Sequence, residues 1–308
     1  SIVISEIHYR PASPTEEEAA AGFNDRSDFE FIELLNISPR TVDLGALKFS
    51  DGIEFDFSEA ETGRTLVPGA RLLIVNNVEA FMMRYGKDLD PVTVIAGQFK
   101  GNLNNDGEQI IITDTNGIRI IDITFNDGDQ WPASADGDGY SLVKINPAKN
   151  YSNPDSSTWR SSSSLNGNPG YGDQISLAEW STLNNVTDPL LDTDKDGLSA
   201  LSEYAIGSDP NAASPSDGIN VRISELEYEG VTDNYLIIDV KRRVGADDVL
   251  FGLQLSNNLT KWENLNVPVS VINIQNNGNG TESVSYLVGK PGSYGENVYF
   301  KAVISLNQ

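Results

Sequence analysis

Short apolar runs separated by turn residues recur along most of the chain. In the first 170 residues these runs are rich in β-branched and aromatic side chains and end at glycine, proline, asparagine or aspartate, which is typical of β-strands. Seven strands are predicted there, over residues 2–9, 29–36, 71–75, 92–96, 109–113, 118–125 and 140–145. Asn116-Gly117 predicts a two-residue hairpin turn between two of them, because both residue types tolerate positive φ.

The last 90 residues alternate in the same way. Strands are predicted over residues 220–228, 235–241, 250–256, 267–274, 283–288 and 298–306. So many short strands in so short a segment favour a second, smaller β-sandwich.

Helical periodicity replaces this alternation in three short segments. Residues 78–85 predict a helix. Its apolar stripe, which we assign to the core, consists of Phe81, Met82 and Tyr85. A capping box opens a second helix over residues 176–183, and a third helix is predicted within residues 198–207. The apolar face of the third helix requires a neighbour, for which Trp180 and Leu183 are the best candidates.

One acidic segment carries oxygen-bearing side chains at the spacing of a calcium-binding loop. Asp192, Asp194 and Asp196 stand at alternate positions, a glycine follows, and Glu203 is the twelfth residue. A hard cation of this size takes about six to eight oxygens, and the glycine permits the sharp turn that brings the Leu198 carbonyl and the Glu203 carboxylate to one ion. The predicted cofactor is calcium, and the predicted ligands are Asp192, Asp194, Asp196, Leu198 and Glu203.

The alternative is a solvated acidic linker in which this spacing arose by chance, but the match at every constrained position favours calcium. Two departures indicate a structural site rather than an EF-hand sensor. Ser199 replaces the apolar residue that pairs two loops, and Pro189 stands where an entering helix would run. With the flanking Asp188 and Asp209, each followed by proline, the segment resembles the calcium repeats of thrombospondin-type and related bacterial extracellular proteins. Either aspartate is a candidate for a further ligand.

Composition restricts the class of partner. With 45 acidic and 21 basic side chains the chain has a net charge of −24 and a pI near 4.2, which argues against binding nucleic acid. No apolar run approaches the roughly 18 residues that a membrane-spanning helix needs, so no membrane insertion is predicted. We expect a monomer, and the ligands that remain compatible with the chain are an extracellular protein or a glycan.

The predicted calcium site, and not the cysteine content, indicates the cellular compartment. The chain has no cysteine, which removes disulfides but leaves the compartment open. A single calcium loop of modest charge is usually filled at the millimolar concentrations found outside cells, so we expect secretion or display at a bacterial cell surface. Because a strand pattern follows Ser1 at once, we expect that any signal peptide was removed or left out.

Composition also divides the chain into three predicted domains. Stretches rich in serine, asparagine and glycine at residues 161–170 and 213–218 have the composition of linkers. The predicted domains are a β-sandwich over residues 1–170, a calcium-binding helical linker over 171–218 and a small β-sandwich over 219–308. Calcium would offset the repulsion among the carboxylates of the linker and so stiffen the joint between the two sandwiches.

A series of short motifs runs through the first of these domains in order. They are residues 2–11 (IVISEIHYRP), 29–34 (FEFIEL), 42–44 (VDL), 67–69 (VPG), 101–104 (GNLN), 106–108 (DGE), 131–132 (WP), 139–142 (GYSL), Trp159 and 168–170 (NPG). Their order and spacing resemble the bacterial form of the lamin-tail domain, an immunoglobulin-like sandwich named for its occurrence in nuclear lamins. The departures are an insertion at residues 16–28 and a longer polar turn after Phe57.

The resemblance implies a domain with no general catalytic role, found on secreted bacterial proteins beside calcium repeats, other sandwiches and sometimes hydrolases. Lamin examples contact proteins and DNA, but 26 acidic against 13 basic side chains in residues 1–170 make DNA a poor candidate. The last domain is similar to a small terminal sandwich of secreted bacterial proteins, through residues 235–243, 254–257, 259–262 and 299–303. The expected fold is mainly β, with two immunoglobulin-like β-sandwiches joined by a short helical calcium-binding segment.

The residues that catalysis needs are sparse. His8 is the one histidine, and on a strand it is better explained as a packed neutral imidazole than as a general base. Glu30 and Glu33 are the nearest approach to a placed carboxylate pair, but three positions apart on a strand they face opposite sides, which favours a structural role for one. We therefore predict no enzyme activity and no catalytic residues.

Two further features have alternative explanations. Asp127-Gly-Asp129 and Asp136-Gly-Asp138 are explained by turn chemistry, with a second calcium site as the alternative. Four aromatic residues would form either a sugar-stacking platform or part of the core, and the core is favoured. They are Trp131, Tyr140, Trp159 and Tyr171.

The sequence thus predicts a non-catalytic secreted or cell-surface protein that serves in binding, adhesion or spacing, with a structural calcium site that rigidifies the joint between two sandwiches. The alternative is an accessory region, for substrate binding or anchoring, of a larger secreted hydrolase.

Overall fold

The computed structural model describes residues 1–128, 130–150, 155–213, 218–265, 270–295 and 297–307. The chain divides into two units, Ser1–Asp173 and Gln174–Gln308. Both units are built mainly from strands in several sheets, so the predicted class, mainly β with immunoglobulin-like sandwiches, is confirmed. The helices of the predicted linker lie within the second unit. The C-terminal boundary of this linker was placed at residues 213–218, of which 214–217 lie outside the described residues.

Strands form most of the first unit. In chain order they are β1 (Ile2–His8), β2 (Phe31–Asn36), β3 (Val42–Asp43), β4 (Leu47–Asp51), β5 (Thr65–Leu66), β6 (Arg71–Val75), β7 (Val94–Gln98), β8 (Gly107–Asp114), β9 (Arg119–Asn126), β10 (Leu142–Lys144) and β11 (Trp159–Ser161). The helices are α1 (Glu16–Ala20), α2 (Val78–Tyr85) and α3 (Pro147–Asn150), with single 3-10 turns at Arg26–Phe29, Ala133–Ala135 and Ser156–Thr158.

Two sheets of this unit face each other across a core. The larger has the strand order β11-β10-β1-β2-β6-β7, and the smaller has the order β4-β8-β9; β3 pairs with β5. All these pairs are antiparallel except β6 with β7, which is parallel. The core combines side chains of both sheets, among them Ile4, Ile32, Leu34, Ile110, Ile112 and Phe125. This is the sandwich that the alternating pattern predicts.

The larger sheet is covered on both faces, which explains why its central strands read as continuous apolar runs. Along β6, Leu72 and Ile74 join the core between the sheets, whereas Leu73 and Val75 join a second cluster with Phe81 of α2. A strand buried on one face only would carry a polar residue at every second position.

Helix α2 has the predicted bounds, but one residue of its stripe is misassigned. Phe81 and Tyr85 are buried, whereas Met82 is 45 % exposed, so its assignment to the core is wrong. Successive helical residues point about 100° apart, and with Phe81 directed at the sheet its neighbour Met82 points away. Asn77 begins the helix by accepting hydrogen bonds from the amides of Glu79 and Ala80.

The hairpin of β8 and β9 forms as predicted, with a longer loop. Residues 115–118 connect the strands, and the Asp114 carboxylate accepts hydrogen bonds from the amides of Asn116 and Ile118 at 2.9 and 2.8 Å. Gly117 has the positive φ, 78°. The Asp114 side chain thus fixes a four-residue loop where a two-residue turn was predicted.

The predicted insertion at residues 16–28 is folded onto α2. Glu18 of α1 accepts hydrogen bonds from Nε and Nη2 of Arg84 at 2.8 and 2.7 Å, and both side chains are 6 % exposed. The same guanidinium lies 3.4 Å from the Phe29 ring centroid and donates to the Ala12 carbonyl. Hydrogen bonding to Arg84 holds the pKa of the Glu18 carboxyl below its usual range. A buried ion pair therefore fastens the insertion.

The second unit begins with two helices, α4 (Leu177–Leu183) and α5 (Ala200–Ile206). Its strands are β12 (Ile219–Tyr228), β13 (Val231–Arg243), β14 (Val249–Ser256), β15 (Glu263–Asn264), β16 (Ser270–Asn276), β17 (Thr281–Gly289) and β18 (Tyr299–Leu306). They form two sheets, β12-β13-β17-β16 and β15-β14-β18, whose apolar sides share one core. The predicted strand over residues 267–274 begins in part outside the described residues and continues as β16.

Helices α4 and α5 pack together beside this sandwich. Trp180 and Tyr204 are buried, with ring centroids 5.3 Å apart. Leu183 is 69 % exposed, so its predicted role as a neighbour of α5 is wrong. It is the last residue of a two-turn helix whose contacts are made by Leu177 and Trp180. In the part of the chain that the structure describes, no helix has the length and apolar character that a membrane crossing requires.

Candidate metal centre

The acidic segment between α4 and α5 folds back toward the start of α5. The Leu201 amide donates to the Pro189 carbonyl at 2.7 Å, and the Ala200 amide donates to the Leu191 carbonyl at 3.0 Å. Ser199 is the N-cap of α5, and its side chain accepts from an amide in the first turn of the helix. This role explains why a serine stands where EF-hand sensors carry an apolar residue.

Three carboxylates converge in this loop. Asp192, Asp194 and Asp196 each offer an oxygen, and these atoms lie within 4.8 Å of one another. Lys195 and Gly197 adopt positive φ values of 67° and 100°, and both donate their amides to the Asp192 carboxylate, at 2.8 and 2.9 Å. The backbone thus turns around one carboxylate and brings the other two beside it.

The remaining loop contacts leave one buried oxygen without a hydrogen bond. The Asp196 carboxylate accepts from the Leu198 amide at 2.8 Å, and Oδ1 of Asp194 accepts from the Asp196 amide at 3.3 Å. Oδ2 of Asp194 is buried and accepts no hydrogen bond from the described residues. Unpartnered buried carboxylate oxygens are costly, and they are also the ligand atoms that calcium prefers.

Glu203 brings a fourth carboxylate from the first turn of α5. Its side chain is fully buried, Oε1 lies 3.4 Å from Oγ of Ser208, and Oε2 has no hydrogen-bond partner among the described residues. Burial, reinforced by the charges of Asp194 and Asp196, raises the pKa of Glu203 to about 7. The unpartnered oxygens of Asp194 and Glu203 are donors of the type that calcium takes, and a divalent cation would offset the repulsion that contributes to this shift, so the donor set fits calcium.

The two additional candidate ligands each close a turn of their own. Asp188 accepts from the Leu190 amide at 2.9 Å, and Asp209 accepts from the Asn211 amide at 3.0 Å. Within the described residues, neither belongs to the group of three converging aspartates. Glu203 also lies outside that group. Calcium ligation by every predicted residue stays a prediction: Asp192, Asp194, Asp196, Leu198, Glu203, Asp188 and Asp209.

The acidic loop is connected to the sandwich through Tyr204, the residue next to Glu203. The Tyr204 hydroxyl lies 2.5 Å from both an Asp248 oxygen and the Ile175 carbonyl, and these two acceptors share its single hydrogen. The other oxygen of Asp248 accepts from the Leu177 amide at 2.9 Å, and Nε of Arg243 donates to the Tyr204 carbonyl at 2.9 Å. One aspartate thus holds both helices, and the position of Glu203 depends on this anchor.

In the first unit, Glu30 and Glu33 both have structural roles. Glu30 precedes β2, is 2 % exposed and accepts from the Leu103 amide at 2.9 Å. Glu33 is fully buried, forms an ion pair with Arg71 and accepts from the Gly170 amide at 2.7 Å. The prediction assigned a structural role to one of the two, and the contacts assign it to both.

Glu6 is a buried carboxyl that sequence reasoning missed. It is 2 % exposed, and Oε1 accepts from Oγ of Ser141 at 2.5 Å and from the Asn168 amide at 3.0 Å. Burial and the nearby charge of Glu33 raise the pKa of Glu6 from 4.5 to about 8. At neutral pH this carboxyl is mostly protonated and ties the chain near residue 168 to β1.

We expect Glu6 to make the stability of the first unit fall as the pH rises. The folded pKa lies above the unfolded value, so the stabilisation is complete below about pH 4.5 and is lost as pH rises through about 8, by roughly 1 kcal/mol per pH unit. Glu6→Gln keeps both hydrogen bonds and should flatten the slope of unfolding free energy between about pH 6.5 and 8. Urea unfolding at three pH values measures this, with exposed Glu54→Gln as the matched control; parallel slopes for all three proteins would contradict it.

His8 is a core residue, as predicted. It is fully buried, Nδ1 lies 3.3 Å from the Tyr85 hydroxyl, and its ring meets Phe31 edge-on at 5.4 Å. Burial and the Arg84 charge lower the pKa of His8 to about 3, so the imidazole is neutral. Its polar partner is Tyr85 rather than Tyr9 or a neighbouring strand.

Among the described residues, the remaining candidate features form no second group of converging ligands. Asp129 lies outside the described residues, and Asp136 forms an ion pair with Arg10. Trp159 is 4 % exposed, and its ring centroid lies 6.2 Å from that of half-buried Trp131 with the rings tilted by 38°, which agrees with the prediction of core. Among the four aromatic residues, only Tyr171 is highly exposed, at 44 %.

Comparison with known families bears on the first unit. Residues 1–127, which span β1 to β9, match the family model of the Lamin Tail Domain. The resemblance drawn from the motifs is therefore confirmed for this segment, although it was extended to residue 170. The immunoglobulin-like fold of this domain is typically non-catalytic and suits a binding or structural role. A search of curated proteins and a search of solved structures each found no match.

Proposed function

We propose that this chain is a non-catalytic secreted or cell-surface protein that binds or spaces other components and carries a structural calcium site. The observation that carries the calcium site is the buried Glu203 carboxylate, which has an oxygen without a partner and lies in the field of three converging aspartates. The non-catalytic role is supported by the match to the Lamin Tail Domain and by the burial of His8.

In this proposal Asp192, Asp194, Asp196, Glu203 and the Leu198 carbonyl hold the ion. Calcium supplies the positive charge that offsets repulsion among the carboxylates. The chain supplies the positioning. Backbone amides orient Asp192, and α5 carries Glu203 beside the anchored Tyr204. Calcium would therefore order residues 192–199 against α5, and we extend this to a stiffer joint between the two sandwiches.

Direct titration with calcium tests the proposal. Isothermal titration calorimetry should detect one site with a dissociation constant of about 10⁻⁴ to 10⁻³ M, the range typical of extracellular modules. Asp194→Ala combined with Glu203→Ala should abolish the binding heat. Glu225→Ala with Glu227→Ala, which removes two exposed carboxylates of the same unit, should leave it unchanged.

Two results would overturn it. Binding by the Asp194 and Glu203 double variant equal to that of the unmodified protein would place calcium elsewhere. A dissociation constant near about 10⁻⁷ M would instead indicate an intracellular sensor and contradict the extracellular assignment.

A further inference from the structure

A groove of about 580 Å³ runs beside β7 in the first unit. β7 is the edge strand of the six-stranded sheet, and within the described residues no strand pairs with its outer side. The opposite wall is the segment that connects β4 with β5. An unpaired strand edge offers backbone donors and acceptors that an extended peptide can use.

Contacts at two points limit the length of the groove. At one end Glu54 and Lys100 exchange backbone hydrogen bonds of 3.0 Å, and at the other the Thr62 hydroxyl donates to the Ile95 carbonyl at 2.9 Å. Residues 96–99 lie between these two contacts, and four residues of strand span roughly 13 Å. The open edge can therefore pair with about three to four residues of extended chain.

Apolar side chains line part of the groove. Half-buried Phe55, which meets Phe57 edge-on at 5.0 Å, packs on the core between the sheets, and Ile95 of β7 packs on the cluster beside α2. At Gly97 an added Cβ would lie 3.1 Å from Cε2 of Phe55. The glycine thus keeps the phenyl ring and the strand in close contact and leaves the floor free of a projecting side chain.

The rim of the groove is predominantly acidic. Four carboxylates and two lysines line it: Glu54, Asp56, Glu59, Glu61, Lys48 and Lys100. Glu54, Glu59 and Glu61 are exposed, and none of the three forms an ion pair with a described residue. A partner that places cationic side chains here gains electrostatic attraction, whereas phosphate-bearing nucleic acid is repelled.

We propose that this groove binds an extended basic segment of a partner protein, which adds to β7 as a further strand. Its backbone pairs with the open edge, apolar side chains on one face of the added strand contact Phe55, and lysine or arginine side chains approach Glu59 and Glu61. The groove proposal rests on the binding role proposed above and names the class of partner. Because the groove does not include the calcium site, one of the two proposals can be wrong while the other holds.

The test uses a fluorescein-labelled peptide of alternating valine and lysine, titrated by fluorescence anisotropy into the full chain at physiological salt, with calcium and with chelator. We expect the same affinity in both solutions. Glu59→Lys with Glu61→Lys should weaken binding about tenfold. The matched control, Glu225→Lys with Glu227→Lys, makes the same change of net charge on exposed positions of β12 and should change affinity less than about twofold.

Peptide variants separate strand addition from simple charge attraction. A peptide methylated at alternate backbone nitrogens keeps every charge but loses hydrogen-bond donors, so it should bind at least about tenfold more weakly. A valine and glutamate peptide should not bind. Equal binding by the methylated peptide, or equal losses from the β7-groove and β12 variants, would overturn the proposal. Melting curves of each variant verify that the exposed substitutions leave the fold intact.

Discussion

A calcium chelator should lower the melting temperature of the second unit by about 5–10 °C. An ion present at ten to one hundred times its dissociation constant stabilises the folded state by roughly 1.5–3 kcal/mol, which corresponds to a shift of this size for a unit of this length. We assign the change in melting temperature to the second unit because Glu203 lies in α5. The next residue, Tyr204, fixes this helix through its hydrogen bond to Asp248, which also accepts from the Leu177 amide of α4. Differential scanning calorimetry with calcium and with chelator measures it.

The Glu203→Gln substitution should change melting temperature in opposite directions with calcium and with chelator. In calcium the variant loses a charged ligand and should melt below the unmodified protein. In chelator at about pH 8 it should melt at or above it, because the amide removes a buried ionised carboxylate whose pKa is raised to about 7. Equal destabilisation in both solutions would mean that Glu203 is a packing residue and not a ligand. Glu225→Gln, at an exposed carboxylate of β12 in the same unit, serves as the control.

The second large effect is expected at the buried pair of Glu18 and Arg84. Glu18→Ala leaves the guanidinium buried without its carboxylate, which should cost about 3–5 kcal/mol and lower the melting temperature of the first unit by roughly 10 °C. Glu17→Ala, at the exposed neighbour in the same helix, should change the unfolding free energy by less than about 0.5 kcal/mol.

A double replacement isolates the role of the charge. Glu18→Met with Arg84→Met removes both charges and keeps apolar volume, so it should be more stable than Glu18→Ala alone. If Glu18→Ala is no worse than Glu17→Ala in urea unfolding, the insertion is not fastened by this pair.

Local patterns predict the regular elements well because they depend on neighbouring residues. Asn77 caps α2, and the spacing of apolar residues in this segment matches a helix. Both ends of α2 can therefore be predicted from the sequence. Helix α1 was missed although its signal is present: Thr15 and Glu18 form a capping box. The short strands β3 and β5 are two residues long, too short for any alternation to be recognised.

The proposed calcium site and the buried carboxyl of Glu6 depend on contacts of different range along the chain. The carboxylates at residues 192–203 lie close together in sequence, so their spacing is visible in the sequence alone. Glu6 instead depends on a register shift between Ile4 and Glu6 in β1 and on Ser141 and Asn168, which are distant along the chain. A β-bulge leaves no periodic pattern in the sequence, so the hydrogen bonds of Glu6 could be found only from the three-dimensional structure.

Helix α5 ends at Gly207, which has a φ of 79° and where an added Cβ would lie 2.4 Å from Cγ2 of Thr281 in β17. Any larger residue would therefore strain the backbone and push the helix from the strand. Because the same helix carries Glu203, such a substitution would move this carboxylate from four positions away. If the proposed calcium site forms, Gly207 is a position from which a protein engineer could weaken calcium binding while every oxygen donor is left in the sequence.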